Sequence, residues 1–395
     1  MKTAYIHIGH EKTGTTSLQI FLQKNREALF QHNLVYLGDE SCPYVHGIGH
    51  FPIVASFYDK CPNFIPPSKH KPVSEVLGAL SKDADETDCD IILSCEHFSS
   101  RLDKLENIQC IREALPNRQI KIILYLRRQD EQAISLYSTL VKSGHTAPFS
   151  LKDVVPENRY YNYSSILKDW VDVFGRENIL LREYNNDKLF QQSICTDFLD
   201  ILNIEPTSFV QIEEQNVSLD SLQVEVLRSI NKHLTSYPWG DLNVDLEMFE
   251  QSQRIRVALA PYLSSGVHIR SLLTEKERKK LLNEFKETNL EITNLFENSD
   301  FIFDWHELKG CVKYPIPPSS LSFSDIEKTL ISCGRALDQK NRLISDLSLE
   351  REGILQERDD ALYELELISQ KTKPTLYNAF EALKRWVQSG LFRFG

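Results

Sequence analysis

Between residues 9 and 17 the chain reads Gly9-His-Glu-Lys-Thr-Gly-Thr-Thr-Ser17, which sets a lysine and several hydroxyls between and after two glycines. A short apolar run containing Tyr5, Ile6 and Ile8 leads in, and the helix-like Leu18-Gln-Ile-Phe-Leu-Gln-Lys24 leads out. Strand, small-residue loop and helix in that order aim backbone N–H groups and a helix N-terminus at one point, a nest for a phosphate or a group shaped like one. Triphosphate-binding loops follow G-x-x-x-x-G-K-[ST], with the lysine directly after the second glycine. Gly9 and Gly14 keep that separation, but Thr15 fills the lysine position and Lys12 lies inside the loop. A lysine there meets the middle of a short anion, and no Ser/Thr follows it as a magnesium ligand. The alternative for this string alone is a Gly/Thr turn with no ligand. A second pair weighs against that: Arg127 ends an apolar run, and Ser135 follows eight residues later. Both can therefore face one anion at the beginning of a helix.

These residues need a scaffold that holds several loops on one side. Leu18, Phe21, Leu22, Leu29 and Phe30 recur at helical spacing, and Leu34 to Leu37 reads as a short strand. Asp90-Ile-Ile-Leu-Ser-Cys-Glu-His-Phe98 reads as a buried strand ending in the polar Glu96 and His97. A helix near Leu105 to Ala114 precedes Gln119-Ile-Lys-Ile-Ile-Leu-Tyr-Leu-Arg-Arg128, the strongest buried-strand signal. Gln129 to Tyr137 is helical in period. Ile166, Leu167, Trp170, Val171 and Phe174 mark a further helix closed by Gly175, and the cluster Tyr160 to Tyr163 before it suits core packing better than a sugar platform. Asn178 to Tyr184 is the next strand. Strands alternating with helices predict an α/β fold with a P-loop-type parallel sheet flanked by helices.

Residues 38 to 72 are irregular, rich in proline and carrying His46, His50, His70 and several aromatics. They read as an acceptor-side wall, with a helical insertion around Ile53 to Tyr58 as the alternative. Residues 186 to 310 carry helical stripes at Phe190, Ile194, Phe198, Leu199 and Leu202, and at Leu281, Leu282, Phe285 and Leu290. A proline-rich linker is expected over 311–321. A heptad seam that includes Ile326, Leu330, Leu337, Ile344 and Leu365 predicts a coiled-coil helix over 322–372, the C-terminal extension of the fold, with a solvated single helix as the alternative. Leu376, Phe380, Leu383 and Val387, beside Lys384, Arg385 and Trp386, predict an amphipathic helix over 373–395.

The string Lys12-Thr-Gly-Thr-Thr-Ser17, followed by the Arg127/Ser135 pair, resembles the sulfotransferases that use 3′-phosphoadenosine 5′-phosphosulfate (PAPS). The resemblance spans about residues 1 to 310 and weakens after Tyr184. It implies that Lys12, Thr13, Gly14, Thr15, Thr16 and Ser17 hold the 5′-phosphosulfate, that Arg127 and Ser135 share the 3′-phosphate, and that Tyr184 lines the adenine pocket. Asn185 stands where many relatives carry an acid. Arg254, Arg256 and Arg270 are candidates for a second grip on the 3′-phosphate or on an acidic acceptor. The base that deprotonates the acceptor is a histidine or glutamate in this family. Glu96 is the first candidate, His50 the second, with His97 and His46 after them. No metal is expected, because the leaving group is an already cradled nucleotide. Similarity to bacterial enzymes that sulfate carbohydrate hydroxyls makes a glycan or glycolipid the expected acceptor. A small-molecule P-loop kinase and a non-catalytic nucleotide-sensing coiled-coil protein are the alternative functions.

Composition narrows the setting. The chain has 395 residues, 26% charged and 41% apolar, as in an ordinary globular protein. A net charge of −11 argues against coating nucleic acid or an anionic membrane, so any polyanion needs a local basic groove. With no run of about 18 apolar residues and no signal-like N-terminus, a cytoplasmic location is expected, with at most peripheral contact at the inner membrane face. Eight scattered cysteines without a C-x-x-C pair read as reduced packing residues rather than a zinc site. Self-association through the coiled coil is the expected protein contact.

Overall fold

The computed structural model describes residues 2–62, 64–212, 219–232, 252 and 269–296, all within the compact unit Met1–Ser320. The predicted linker 311–321, coiled coil 322–372 and helix 373–395 lie outside the described residues, as do Arg254 and Arg256.

The first half of the chain runs β1 (Lys2–His7), α1 (Thr15–Lys24), α2 (Arg26–Gln31), β2 (Leu34–Tyr36), α3 (Phe51–Ala55), α4 (Val73–Glu86), β3 (Asp90–Ser94), α5 (His97–Arg101), α6 (Leu105–Glu113) and β4 (Arg118–Leu126). Then come α7 (Gln129–Lys142), α8 (Tyr163–Phe174), β5 (Ile179–Glu183), α9 (Ile194–Ile201), α10 (Ser221–Asn231), α11 (Glu275–Glu284) and α12 (Lys286–Leu295). Among the described residues, no helix is long and apolar enough to cross a membrane.

The strands form one sheet in the order β2-β3-β1-β4-β5, and every pairing is parallel. Ile6 of the central strand lies opposite Leu93 of β3 and Ile122 of β4. Alternate side chains serve opposite faces, because the strand repeat is two residues. Ala4, Ile6, Ile91, Leu93, Ile122 and Leu124 join Val76 and Leu80 of α4, Ile108 of α6 and Trp170 of α8 in one core. Ile92, Ile123 and Tyr125 join Leu18, Phe21 and Leu22 of α1 with Phe198 and Leu199 of α9 in the other. The chain thus adopts the expected P-loop-type α/β fold, with helices covering both faces as an all-parallel sheet requires.

Several local expectations are corrected. The strand at Asp90 stops at Ser94, where the Cys95 amide makes its bond to the His7 carbonyl (3.1 Å), and His97 and Phe98 already belong to α5. The first helix breaks at Asn25, whose side chain donates to the carbonyls of Phe21 (2.9 Å) and Val210 (3.0 Å) and so serves a distant segment instead of continuing the helix. Phe30, Phe190 and Leu290 are 64%, 41% and 46% exposed, so three members of the predicted apolar stripes face outward. α7 runs five residues past Tyr137, to Lys142. The insertion at 38 to 72 contains α3, closer to the helical alternative, and Tyr161 and Tyr163 are core residues as expected. The described cysteines, Cys42, Cys61, Cys89, Cys95, Cys110 and Cys195, are free thiols.

Trp170 is fully buried, stacked on Phe174 at 5.6 Å between ring centroids and edge-on to Phe98 at 6.3 Å. Trp170→Ala should destabilise the fold by about 3–5 kcal/mol through the cavity it leaves. Urea unfolding of the variant against the parent measures this directly.

Candidate functional site

An all-parallel sheet places every strand's C-terminal end on one edge, and there the chain gathers its polar groups. β1 delivers the loop from Ile8 to Gly14, and its neighbours β3 and β4 deliver Glu96 and Arg127 on either side. β5 delivers Tyr184, whose amide bonds the Leu126 carbonyl at 2.7 Å.

The loop owes its path to three left-handed residues, Gly9 (φ 59°), Lys12 (φ 67°) and Gly14 (φ 77°). A Cβ on Gly9 would stand 2.5 Å from Glu96 Cα, so only glycine lets the loop touch the start of α5. A Cβ on Gly14 would stand 2.9 Å from Tyr184 Cε2. Lys12 has no such excuse, and a non-glycine residue held in this region costs about 1–3 kcal/mol, characteristic of a functional turn. Thr13 Oγ1 donates to the His10 carbonyl (2.7 Å) and closes the loop. α1 then begins with the amide of Leu18 on the Gly14 carbonyl (3.0 Å), leaving its first-turn amides outside the helical ladder. Thr15 at that turn is 3% exposed, and its hydroxyl has no hydrogen-bond partner. An orphaned buried hydroxyl beside free helix amides fits a bound oxyanion.

On the β4 side, Arg127 Nη1 donates to the Lys12 carbonyl (3.1 Å), and the guanidinium lies over the Tyr184 ring, 5.4 Å from its centroid. Gln132 Nε2 donates to the neighbouring Glu11 carbonyl (2.7 Å). The first turn of α7 is anchored by a buried charge cluster. Asp130 binds Arg128 (2.6 Å) and Arg278, and Glu131 binds Arg278 (3.0 Å) and Arg270 (2.8 Å) and lies 4.0 Å from Arg127. Burial alone would raise the Asp130 carboxyl, but Arg128 and Arg278 hold it below the usual range. Gln129 and Asn289 exchange amide bonds of 2.9 and 3.1 Å and add α12 to the same support.

On the β3 side, burial pushes the Glu96 carboxyl above its ordinary value, and Glu11 pushes the same way, against His97 and a 3.4 Å bond from Gln19 Nε2. Burial, with the like charges of Lys142 and Arg127, brings the Lys12 ammonium down to about 8, against the pull of Glu96 and Glu11. Glu11 would be raised by burial. Its bonds from His97 Nδ1 (3.2 Å) and Ser100 Oγ (2.8 Å), with the charges of His10 and His97, bring it instead to about 2.

The structure therefore brings together Lys12, Thr13, Gly14, Thr15, Glu96, Arg127 and Tyr184, with Thr16 and Ser17 in the first turn of α1. Ser135 is buried about two turns along α7. Arg270 reaches the group through the Glu131 carboxylate it shares with Arg127. His97 adjoins Glu96, is bound by Glu11, and meets the rings of Phe64 (4.5 Å) and Phe51 (5.5 Å) edge-on. His50 is corrected: it is 1% exposed, its Nδ1 accepts from the Ser94 amide (3.1 Å) and its Nε2 donates to the Leu37 carbonyl (2.9 Å). Burial brings it down to about 4. With both nitrogens committed to main chain it supports β2 and β3 and is not placed to take a proton from a substrate. His46 sits in an outlying turn, against Glu40 at 3.1 Å.

Sequence reading passed over Glu11, Gln19, Gln132 and Lys142. Two of these left a signal. Glu11 is an acid inside an anion-binding loop, which demands a partner, and Lys142 lies seven residues after Ser135 and hence on the same face of α7. Gln19 and Gln132 left none, since their roles arise from elements distant in the chain.

No family model matches the chain. A protein of Archaeoglobus fulgidus named only as uncharacterized is 30% identical over 203 residues, 50% of this chain and 51% of its own. The chain thus spans about half the length of that curated relative. Among solved structures, a sulfotransferase from Alicyclobacillus acidocaldarius is similar with a TM-score of 0.35 and 18% identity, covering 58% of this chain and 93% of that one. That likeness is too slight to bear on function.

The Lys12 ammonium loses its proton as pH rises through about 8, so anion affinity at the loop should be full below that pH and fall above it. Calorimetry with adenosine 3′,5′-bisphosphate should show a decline approaching tenfold per pH unit. Lys12→Arg, which stays charged, should show none of it.

Proposed function

We propose that the protein is a sulfotransferase that moves the sulfuryl group of PAPS to a hydroxyl of a glycan or glycoconjugate. One observation carries this reading: the loop that holds Lys12 leads into a buried, unpartnered Thr15 hydroxyl, and the Arg127 guanidinium at the end of β4 bonds the same loop through the Lys12 carbonyl. The lysine's place within the loop, rather than before a Ser/Thr that could hold magnesium, favours a phosphosulfate over a triphosphate.

The residues present fit that donor. Thr13, Gly14, Thr15, Thr16 and Ser17, with the first-turn amides of α1, would hold the 5′-phosphosulfate. Arg127 and Ser135 would hold the 3′-phosphate, with Arg270 as a third ligand, and Tyr184 would lie against the adenine. PAPS supplies the activated sulfuryl group. Lys12 and the loop amides stabilise the negative charge that collects on the departing phosphate, and the burial of Lys12 strengthens that stabilisation. Glu96 removes the acceptor's proton, and its burial serves this role because a base works best with a pKa near the operating pH. Phe51, Phe64 and His97 beside Glu96 supply the wall against which the acceptor lies. The predicted coiled coil would join copies of the chain.

Lys12→Ala should lower turnover by about a hundredfold or more, as loss of one preorganised charge does in comparable sites. Arg127→Ala should act mainly through donor affinity. Glu96→Gln should remove turnover yet leave the affinity for adenosine 3′,5′-bisphosphate within about twofold, as expected of a group that acts on the acceptor side. Labelled-sulfate transfer to candidate glycans, with calorimetry against the bisphosphate and against ATP plus magnesium, decides the matter. Preference for ATP and magnesium would replace this reading with a kinase.

A further inference from the structure

Glu11 is an unexpected residue to find next to the lysine of an anion pocket, since a carboxylate there repels the ligand. Its side chain is turned onto α5: Ser100 Oγ donates to Glu11 Oε1 at 2.8 Å and His97 Nδ1 does so at 3.2 Å. Glu96 immediately precedes the helix it grips. On the other flank its main-chain carbonyl takes the Gln132 amide from α7 at 2.7 Å, one residue before the Lys12 carbonyl takes Arg127 at 3.1 Å. The loop is thus tied through two carbonyls to the end of β4 and to α7, and to α5 through one carboxylate. The close approach of Gly9 to Glu96 Cα leaves no slack on the α5 side.

We propose that Glu11 is a positioning residue, a strut that holds the Lys12 turn against the first turn of α5 so that the lysine and Glu96 keep one separation. It works through geometry, because the left-handed backbone of Lys12 is unfavourable by itself and must be imposed from outside. The charged and titratable groups near the Glu11 carboxylate are His97 on α5, Cys95 and Glu96 just before that helix, His10 and Lys12 on the loop, and Tyr160, Tyr161 and Tyr163 leading into α8. The kinetic consequence rests on the sulfuryl-transfer reading above. The structural consequence does not.

Two variants separate strut from charge. Glu11→Ala cuts the connection, whereas Glu11→Gln keeps an oxygen to accept from Ser100 and His97. Glu11→Ala should lower kcat by roughly tenfold to a hundredfold, the scale of a small misplacement of reacting groups, with the Kd for adenosine 3′,5′-bisphosphate changed by less than about threefold. Glu11→Gln should restore most of kcat. In both variants the acidic limb of the pH profile should move to lower pH, because a like charge no longer raises Glu96. Amide hydrogen exchange, read by mass spectrometry without any substrate, should show residues 8–14 and 97–101 losing protection together in Glu11→Ala and keeping it in Glu11→Gln. Unchanged exchange in Glu11→Ala, equal impairment of the two variants, or loss of bisphosphate affinity in step with kcat would each overturn the strut. If the parent protein binds no bisphosphate, the sulfotransferase reading fails, while the exchange measurement still judges Glu11.

Discussion

The bond from the Arg127 guanidinium to the Lys12 carbonyl joins the end of β4 to the apex of the β1 loop, and the geometry of the candidate site depends on it. β1 lies at the centre of the sheet, between β3 and β4, so its loop can be held from both sides. From the β4 side come Arg127 and Gln132. From the β3 side come Glu96, packed against Gly9, and the His97 and Ser100 pair that grips Glu11. A loop with three left-handed residues has one internal side-chain bond, from Thr13 to the His10 carbonyl, and these outside bonds complete its support.

Electrostatics follow from the same placement. Lys12 is buried near the like charges of Lys142 and Arg127, and burial together with their repulsion brings the lysine down to about 8. Glu11 and Glu96 sit on the opposite flank with divergent fates. Glu11 is bonded by two donors and stays ionised, whereas Glu96, with one long bond from Gln19, is raised by burial. Two carboxylates pushed apart in this way are suited to different tasks, one fixed charge and one exchangeable proton.

The buried Asp130, Arg128 and Arg278 cluster serves the site from farther away. Desolvating such charges costs about as much as their attraction returns, so the cluster is better understood as fixing one arrangement than as adding stability. It locks α11 to the first turn of α7, and through Glu131 it carries Arg270 to Arg127. His50 shows the opposite outcome for a polar residue: both ring nitrogens are spent on main chain, and a residue that looks reactive in a list of histidines is part of the core.

What the linear sequence determined by itself is the set of local signals. Gly9, Lys12, Gly14 and the hydroxyls after them could be read as an anion loop, and Gln119 to Arg128 as a buried strand, because turn chemistry and apolar runs act over a few residues. The parallel sheet followed from the alternation of such runs with helical ones. Tertiary structure alone decided strand order, and strand order decided who meets whom: Glu96 and Arg127 flank the same loop only because β3 and β4 are both neighbours of β1. It also decided that His50 is structural and that Phe30 faces outward, since neither periodicity nor residue type reports which side of an element finds a partner. Glu11, Gln19 and Gln132 took their roles from contacts across 77 to 121 residues of chain, a range over which local physics carries no information.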